Sequence, residues 1–230
     1  MPWPQDHKSR TRRRIVQAAA AAFRAGGTSH VRVEDVMARA GLTHGGFYSH
    51  FTSKDDLLRE SLDYAGTQTL EMLSKPLAGV PAANRFRTVV DTYLSPGHVA
   101  HPELGCPLAS LGPEVARARG RPLRTLAHAL KNRIVWTHTL LAESRRDRIT
   151  ESQVLGSLAT MIGGVILART VSDKESAGVL NACREFLRRT FDESAEPAVA
   201  QSMKLRRKRP PAAGRRRRSI ARPVARRMRV

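Results

Sequence analysis

The sequence predicts an all-α protein, and three observations lead there. Hydrophobic residues make up 41% of the 230 positions while aromatics supply only 5%, so the core must be aliphatic and alanine-rich, a composition that suits packed helices better than sheets. Apolar residues recur at spacings of three and four, as on one face of a helix. Beyond Pro81 no stretch alternates apolar and polar residues convincingly, as a half-buried strand would.

Charge is unevenly spread. The formal net charge is +20, but 13 of the 40 Lys and Arg residues follow Ser202, where there is no Asp or Glu. That leaves 27 basic residues against 20 acidic ones on the first 201 positions, so most of the excess belongs to the tail. Two cysteines in a chain this long argue against a disulfide scaffold and for a reducing cytoplasm. No targeting segment is expected: the first 14 residues are charged, and the alanine run at 18–22 is too short for a signal-peptide core. The longest apolar run, VLGSLATMIGGVILA from Val154, has 15 residues, short of the ~20 that span a bilayer, and is expected to be a buried helix.

Taken in order, Met1 to Arg14 is a basic arm carrying Lys8, Arg10, Arg12, Arg13 and Arg14, suited to phosphates or a minor groove. A helix follows to about Ala25, with Ile15, Ala19, Ala22 and Phe23 on one face and Gly26-Gly27 as its stop. The stretch VEDVMARAGLTHGGFYSHFTSK, Val33 to Lys54, then gives a helix (Val33, Val36, Met37, Ala40), a break at Gly41, a second short helix ending in Phe47, Tyr48 and Phe51, and a third helix start capped by Ser53. Two short helices joined by a glycine-containing turn make a helix-turn-helix, whose second helix can enter a DNA major groove.

Those residues carry a resemblance. GLTHGGFYSHFTSKDDLL, from Gly41, resembles the signature of the tetracycline-repressor (TetR) family of dimeric bacterial transcription regulators. The resemblance covers the first quarter of the chain and implies an N-terminal DNA-binding domain, a helical ligand-binding and dimerisation domain, and a bacterial cytoplasmic protein found at the nucleoid when on DNA. In its register Thr43 and His44 open the recognition helix, where side chains meet base edges or phosphates. Gly45 and Gly46 cost roughly 1 kcal/mol each inside a helix, which a close approach of backbone to DNA would explain. Tyr48 and His50 offer polar groups to phosphates, whereas Phe47 and Phe51, four apart, anchor the helix to its own core. Lys54 and the amides of the helix start point at the same phosphate. Family members usually place a hydroxyl residue at the cap of the motif's first helix; Val31 and Arg32 stand there and cannot cap, at a cost of ~1 kcal/mol, although Arg32 can reach a phosphate.

After Ser53, Leu57, Leu58, Ser61, Leu62 and Ala65 describe a helix out of the head, continuing toward Leu73 and ended by Pro76. The body has four further patterns: Phe86 to Leu94, stopped at Pro96-Gly97; Leu123 to Leu141; Val154 to Val165; and Leu180 to Phe191. The last two carry small residues (Gly156, Gly163, Gly164, Ala168, Ala177, Gly178) that permit close approach, and the resemblance assigns them to a four-helix dimer interface. A dimer places two heads about one DNA turn apart on a palindromic operator. From Ser202 proline and clustered arginine predict a disordered basic tail, able to bind nucleic acid without sequence preference. The expected divisions are 1–55 (arm and helix-turn-helix), 56–80 (linking helix and connector), 81–193 (regulatory and dimerisation domain) and 194–230 (tail).

The segment from Tyr93 to Ala116 is the effector end. Cys106 precedes Pro107 at a helix start, where the helix dipole favours a thiolate. A Gly-Cys pair there resembles the electrophile-responsive subset of the family and implies that modification of Cys106 releases DNA. Cys183 reads as core. Besides Cys106, the resemblance implies an apolar or aromatic inducer held near Phe86, Tyr93, Trp136 and Met161. His98, His101, Glu103 and Cys106 match no structural zinc spacing, so no metal and no cofactor is expected. Nucleophile elbow, phosphate loop, paired-histidine metal motif and dinucleotide fingerprint are all missing from the sequence, against an enzyme. The leading expectation is a dimeric DNA-binding repressor released by a small effector or by Cys106 modification. The alternative is a nonspecific nucleic-acid-binding protein driven by its basic tail.

Overall fold

The sequence folds into helices wherever the three-and-four spacing runs. The structure, a computed structural model, describes residues 5–118, 120–144 and 148–191. Its α-helices are α1 (Gln5–Gly26), α2 (Val33–Arg39), α3 (Lys54–Ser74), α4 (Ala82–Tyr93), α5 (Pro96–Ala100), α6 (Pro107–Ala118), α7 (Gly120–Ser144), α8 (Glu151–Ala168) and α9 (Asp173–Phe191), with 3₁₀ segments at His44–Ser49, Lys75–Leu77 and Pro102–Leu104. No strand occurs among the described residues. The all-α expectation holds; the tail expected from Ser202 lies outside the described residues.

Termini follow local chemistry. Gly27 and Gly41 adopt φ of 78° and 67° just after α1 and α2, a left-handed conformation that lets only glycine turn the chain without strain. Arg32 supplies no side-chain cap to α2; instead Asp35 accepts the Arg32 N–H at 3.3 Å. Ser53 caps α3 through the Asp56 N–H at 3.1 Å, and Thr150 caps α8 through the Gln153 N–H at 3.3 Å.

Two apolar cores result. The head core joins Ile15, Ala19 and Phe23 of α1, Val36 and Met37 of α2, Phe47 and Phe51, and Leu57, Leu58 and Leu62 of α3. The body core joins Leu73, Val89, Val90, Leu94, Leu141, Val154, Leu158, Met161, Val165, Leu180 and Leu187. Helix α3 belongs to both, as the linking helix should. Helix α6 also belongs to both: Leu111 and Val115 complete the head core, and Leu108 packs against either one.

Three expectations need correction. The basic stretch before Arg14 is no separate arm: from Gln5 onward it is the first two turns of α1, because Thr11, Ile15 and Ala19 turn the same face inward. Pro96–Ala100, expected only as a stop, forms the short helix α5, with Ser95 capping the His98 N–H at 3.2 Å. The apolar run from Val154 is buried on one flank only: Val154, Leu158, Met161 and Val165 face the core, while Leu155 and Leu167 are 41% and 57% exposed.

Candidate nucleic-acid interface and effector cavity

The head presents its second helix as a 3₁₀ turn, His44–Ser49, rather than an α-helix. Two adjacent glycines hold it weakly, and Phe47 alone anchors it inward, stacked on Phe51 with ring centroids 5.6 Å apart. Thr43, His44, Gly45, Tyr48 and Ser49 are exposed, Tyr48 at 71%. The Tyr48 ring is held edge-on against Phe47 at 5.2 Å, so its hydroxyl is presented from a fixed ring. A Cβ on Gly45 would meet nothing within 4 Å, and one on Gly46 would sit 3.6 Å from Met37 Cε, an ordinary contact. Neither has positive φ. Nothing inside the protein therefore requires glycine at these two positions.

The arginines divide. The Arg12 guanidinium is spent within the protein: it bonds both Glu60 carboxylate oxygens at 3.0 and 2.6 Å, donates to the His50 carbonyl, and lies 4.1 Å from the Phe51 ring centroid. It locks α1 to α3 and to the end of the recognition turn. Arg14 donates to the Ala40 carbonyl at 2.5 Å, closing α2. Arg13 and Arg32 remain on the surface, Arg32 lying 3.7 Å from Asp35. The His44 ring lies 3.9 Å from Glu34. His50 is half-buried, and its Nδ1 has no partner among the described residues. Desolvation, with Lys8, Arg12 and His7 around it, holds its pKa below the usual histidine value. That corner is electropositive. Lys54 opens α3, where only the Asp56 amide of the first three is capped by a side chain.

In the body, Cys106, Tyr93, Trp136 and Met161 all line one nearly filled cavity of about 10 Å³, together with Arg133 and Thr137. Phe86 does not join them. It packs on Phe191, centroids 4.9 Å apart, because its turn of α4 faces α9. A second cavity, about 40 Å³, lies between α3 and α7 and shares Cys106, Leu108 and Arg133 with the first.

Cys106 is 2% exposed. Its backbone N–H donates to His98 Nε2 at 3.0 Å, while His98 Nδ1 meets the Tyr93 carbonyl at 2.7 Å. Since Nε2 accepts, Nδ1 carries the proton and the ring is neutral, a state that burial favours by lowering its pKa. With both nitrogens engaged, His98 is not open to a metal, and no group of three His, Cys, Asp or Glu converges among the described residues. Gly105 allows this packing: a Cβ there would fall 2.7 Å from His98 Nε2. Cys183 lies against Gly164, where α8 and α9 cross.

Sequence reasoning missed the wiring between head and cavity. Arg24 of α1 is buried and donates to the carbonyls of Ala20 (3.0 Å) and Gly105 (2.7 Å) and to Gln68 Oε1 (2.6 Å). Burial lowers its pKa to about 10. Glu114 of α6 accepts four hydrogen bonds from Thr28 and Ser29, in the loop between α1 and α2. The only signal in the sequence was an Arg in an alanine-rich helix and a lone Glu beyond Pro113.

The head also has a family counterpart: residues 15–61 match the model of bacterial regulatory proteins, tetR family. The head belongs to the TetR family. Among solved structures, a TetR transcriptional regulator from Chloroflexus aurantiacus J-10-FL is 26% identical, with 80% of this chain and 94% of that chain covered and a TM-score of 0.68. A TetR-family transcriptional regulator from Streptomyces coelicolor is 20% identical over 80% of this chain and 97% of its own, TM-score 0.64. AibR, solved with isovaleryl coenzyme A and operator DNA, is 14% identical over 77% and 97%, TM-score 0.56. The last two likenesses bear on the fold alone. No curated protein matches the chain. With that head and that likeness the protein is a DNA-binding transcription regulator, not an enzyme.

Proposed function

We propose that this regulator is a dimeric repressor that holds a palindromic operator and leaves it when a small effector occupies the body. The observation that carries the reading is the recognition turn. Thr43, His44 and Tyr48 are exposed on it beside glycines with no internal reason to be there, which fits a backbone that approaches a duplex closely. Thr43 and His44 are assigned to base edges; Tyr48, His50, Lys54, Arg13 and Arg32 to phosphates. Arg12 acts one step back, positioning His50 and the recognition turn.

Dimerisation is assigned to α8 and α9. Leu155, Gly156, Ala159 and Leu167 of α8, a helix whose one charged residue is Glu151, and Ala177, Gly178, Ala182 and Phe186 of α9 are exposed, as expected of helices that meet a second copy. Effector release is assigned to α6, whose first turn borders both cavities and whose Glu114 grips the head. An effector that prefers a shifted α6 would move the heads out of register and weaken DNA binding by its differential affinity for that state.

The test is fluorescence anisotropy of the full chain on DNA from upstream of its own gene and on scrambled DNA, at two salt concentrations. A preferred site bound by two copies and surviving moderate salt supports the reading; equal binding to both DNAs with a steep salt dependence refutes it in favour of tail-driven binding. A second reading of release, modification of Cys106, draws on its place at the wall of both cavities. Loss of specific binding on treatment with a quinone, kept by Cys106→Ser, would favour it.

A further inference from the structure

The body core contains a charge that the protein itself does not answer. Arg133 of α7 is 6% exposed. It forms no hydrogen bond or ion pair with any described residue, and its Nη1 is fully buried without a partner. The Trp136 ring centroid lies 5.6 Å from the guanidinium carbon. A guanidinium stays protonated, so burial cannot be relieved by neutralisation. A buried charge left without a partner is strongly destabilising.

Two more buried polar atoms lack partners, and both belong to residues of the same cavity wall. They are Tyr93 Oη, on a residue 3% exposed and with the Cys106 thiol as its polar neighbour, and Thr137 Oγ1, on one 1% exposed. A guanidinium fork and two hydroxyls can all donate. The rest of that wall is apolar: Leu73, Val89, Leu158, Met161 and Ile162. On the other side of Arg133 the 40 Å³ cavity leads past Gly66 and Thr67 between α3 and α7.

We infer that Arg133, Tyr93 and Thr137 form the anchor of a site for a small monocarboxylate with an apolar body. The carboxylate takes the guanidinium fork and the hydroxyls; the apolar part lies among Leu73, Val89, Leu158 and Met161. The present cavities are too small for such a molecule, so its entry parts α3 from α7 and displaces Leu108 at the first turn of α6. A buried water in the 10 Å³ space would satisfy hydroxyls but would leave the charge unanswered. The inference rests on the effector reading given above and supplies the chemical class that reading lacks.

The test uses the full chain with hexanoate, benzoate and phenylacetate, each paired with its primary amide, and inorganic phosphate as a further anion. Isothermal titration and thermal melting are the readouts. At least one acid should bind about 30-fold more tightly than its amide, and Arg133→Met should erase that preference. Arg133→Met should also melt no lower than the parent without ligand, because a buried unpaired charge has been exchanged for an apolar side chain. No acid preferred over its amide, a preference retained in Arg133→Met, tighter binding of phosphate than of any acid, or a lower melting temperature of Arg133→Met would each overturn the inference. Operator anisotropy with the bound acid is read separately. Acid binding through Arg133 without DNA release would leave the site standing and remove the repressor mechanism; loss of the acid preference with intact operator binding would do the reverse.

Discussion

Glu114→Gln tests the connection between body and head most directly. Oε2 accepts the Thr28 N–H at 2.8 Å, while Oε1 accepts the Ser29 N–H at 2.7 Å and the hydroxyls of Thr28 and Ser29 at 2.5 and 2.6 Å. Glutamine can keep its oxygen on the three-donor side, but its NH₂ then faces the Thr28 N–H, donor against donor. These bonds hold the Glu114 carboxyl at a pKa of about 2 instead of 4.5. At 1.36 kcal/mol per unit the full shift corresponds to roughly 3 kcal/mol; screening by solvent over a partly exposed carboxylate reduces this to about 2 kcal/mol. For a domain of this size that is a fall in melting temperature of roughly 4–8 °C. The sign with pH follows from a pKa depressed by folding: the contribution is complete above about pH 4.5 and is lost as pH falls toward 2. The gap between wild type and Glu114→Gln, followed by calorimetry, should therefore be widest near neutrality and narrow below pH 4.5. Operator affinity should drop as well, since the loop before α2 is released. A variant within 0.5 kcal/mol of wild type at pH 7, or a gap that does not narrow in acid, would refute the reasoning.

Three further outcomes are expected. Tyr48→Phe, on a 71% exposed ring, should leave stability within 0.5 kcal/mol while weakening operator binding about tenfold through the lost hydroxyl, measured by anisotropy. Because burial holds the His98 pKa below 6.5, stability should be constant above about pH 7 and decline as pH falls through the ordinary histidine range, where the unfolded chain takes its proton first; His50 acts in the same direction, so melting curves in a His50→Gln background isolate His98. Paired Leu167→Asp and Phe186→Asp changes, on side chains 57% and 58% exposed, should turn a dimer into a monomer in sedimentation velocity without lowering helicity, and should abolish operator binding.

Most of the helices were legible because three-and-four apolar spacing is a local signal, and Gly41, Ser53 and Pro107 punctuate it where the structure does. The recognition turn was legible from its short motif. What was not legible depends on distant partners. Arg12 looks like a DNA contact in a run of five basic residues, and only the fold brings Glu60, 48 positions away, within 2.6 Å. Phe86 and Trp136 look alike as aromatics of the body, yet the turn of α4 sends one toward Phe191 and leaves the other at the cavity. Arg133 was invisible for the opposite reason: among Lys131, Asn132 and His128 it reads as one more polar residue of an exposed helix, and its burial is set by α3 and α4 packing over it.

The double membership of α6 has a consequence for anyone who would treat the head as a portable cassette. Leu111 and Val115 of α6 and Leu126 of α7 fill the floor beneath the DNA-binding helices. A chimera spliced within α3 to carry the first 60 residues onto another body would leave Phe23, Leu57 and Leu58 against whatever side chains the new host happens to offer. The exchangeable piece is discontinuous, the head together with α6 and the first half of α7, and specificity swaps drawn along the chain rather than through the packing should yield proteins that aggregate before they ever meet an operator.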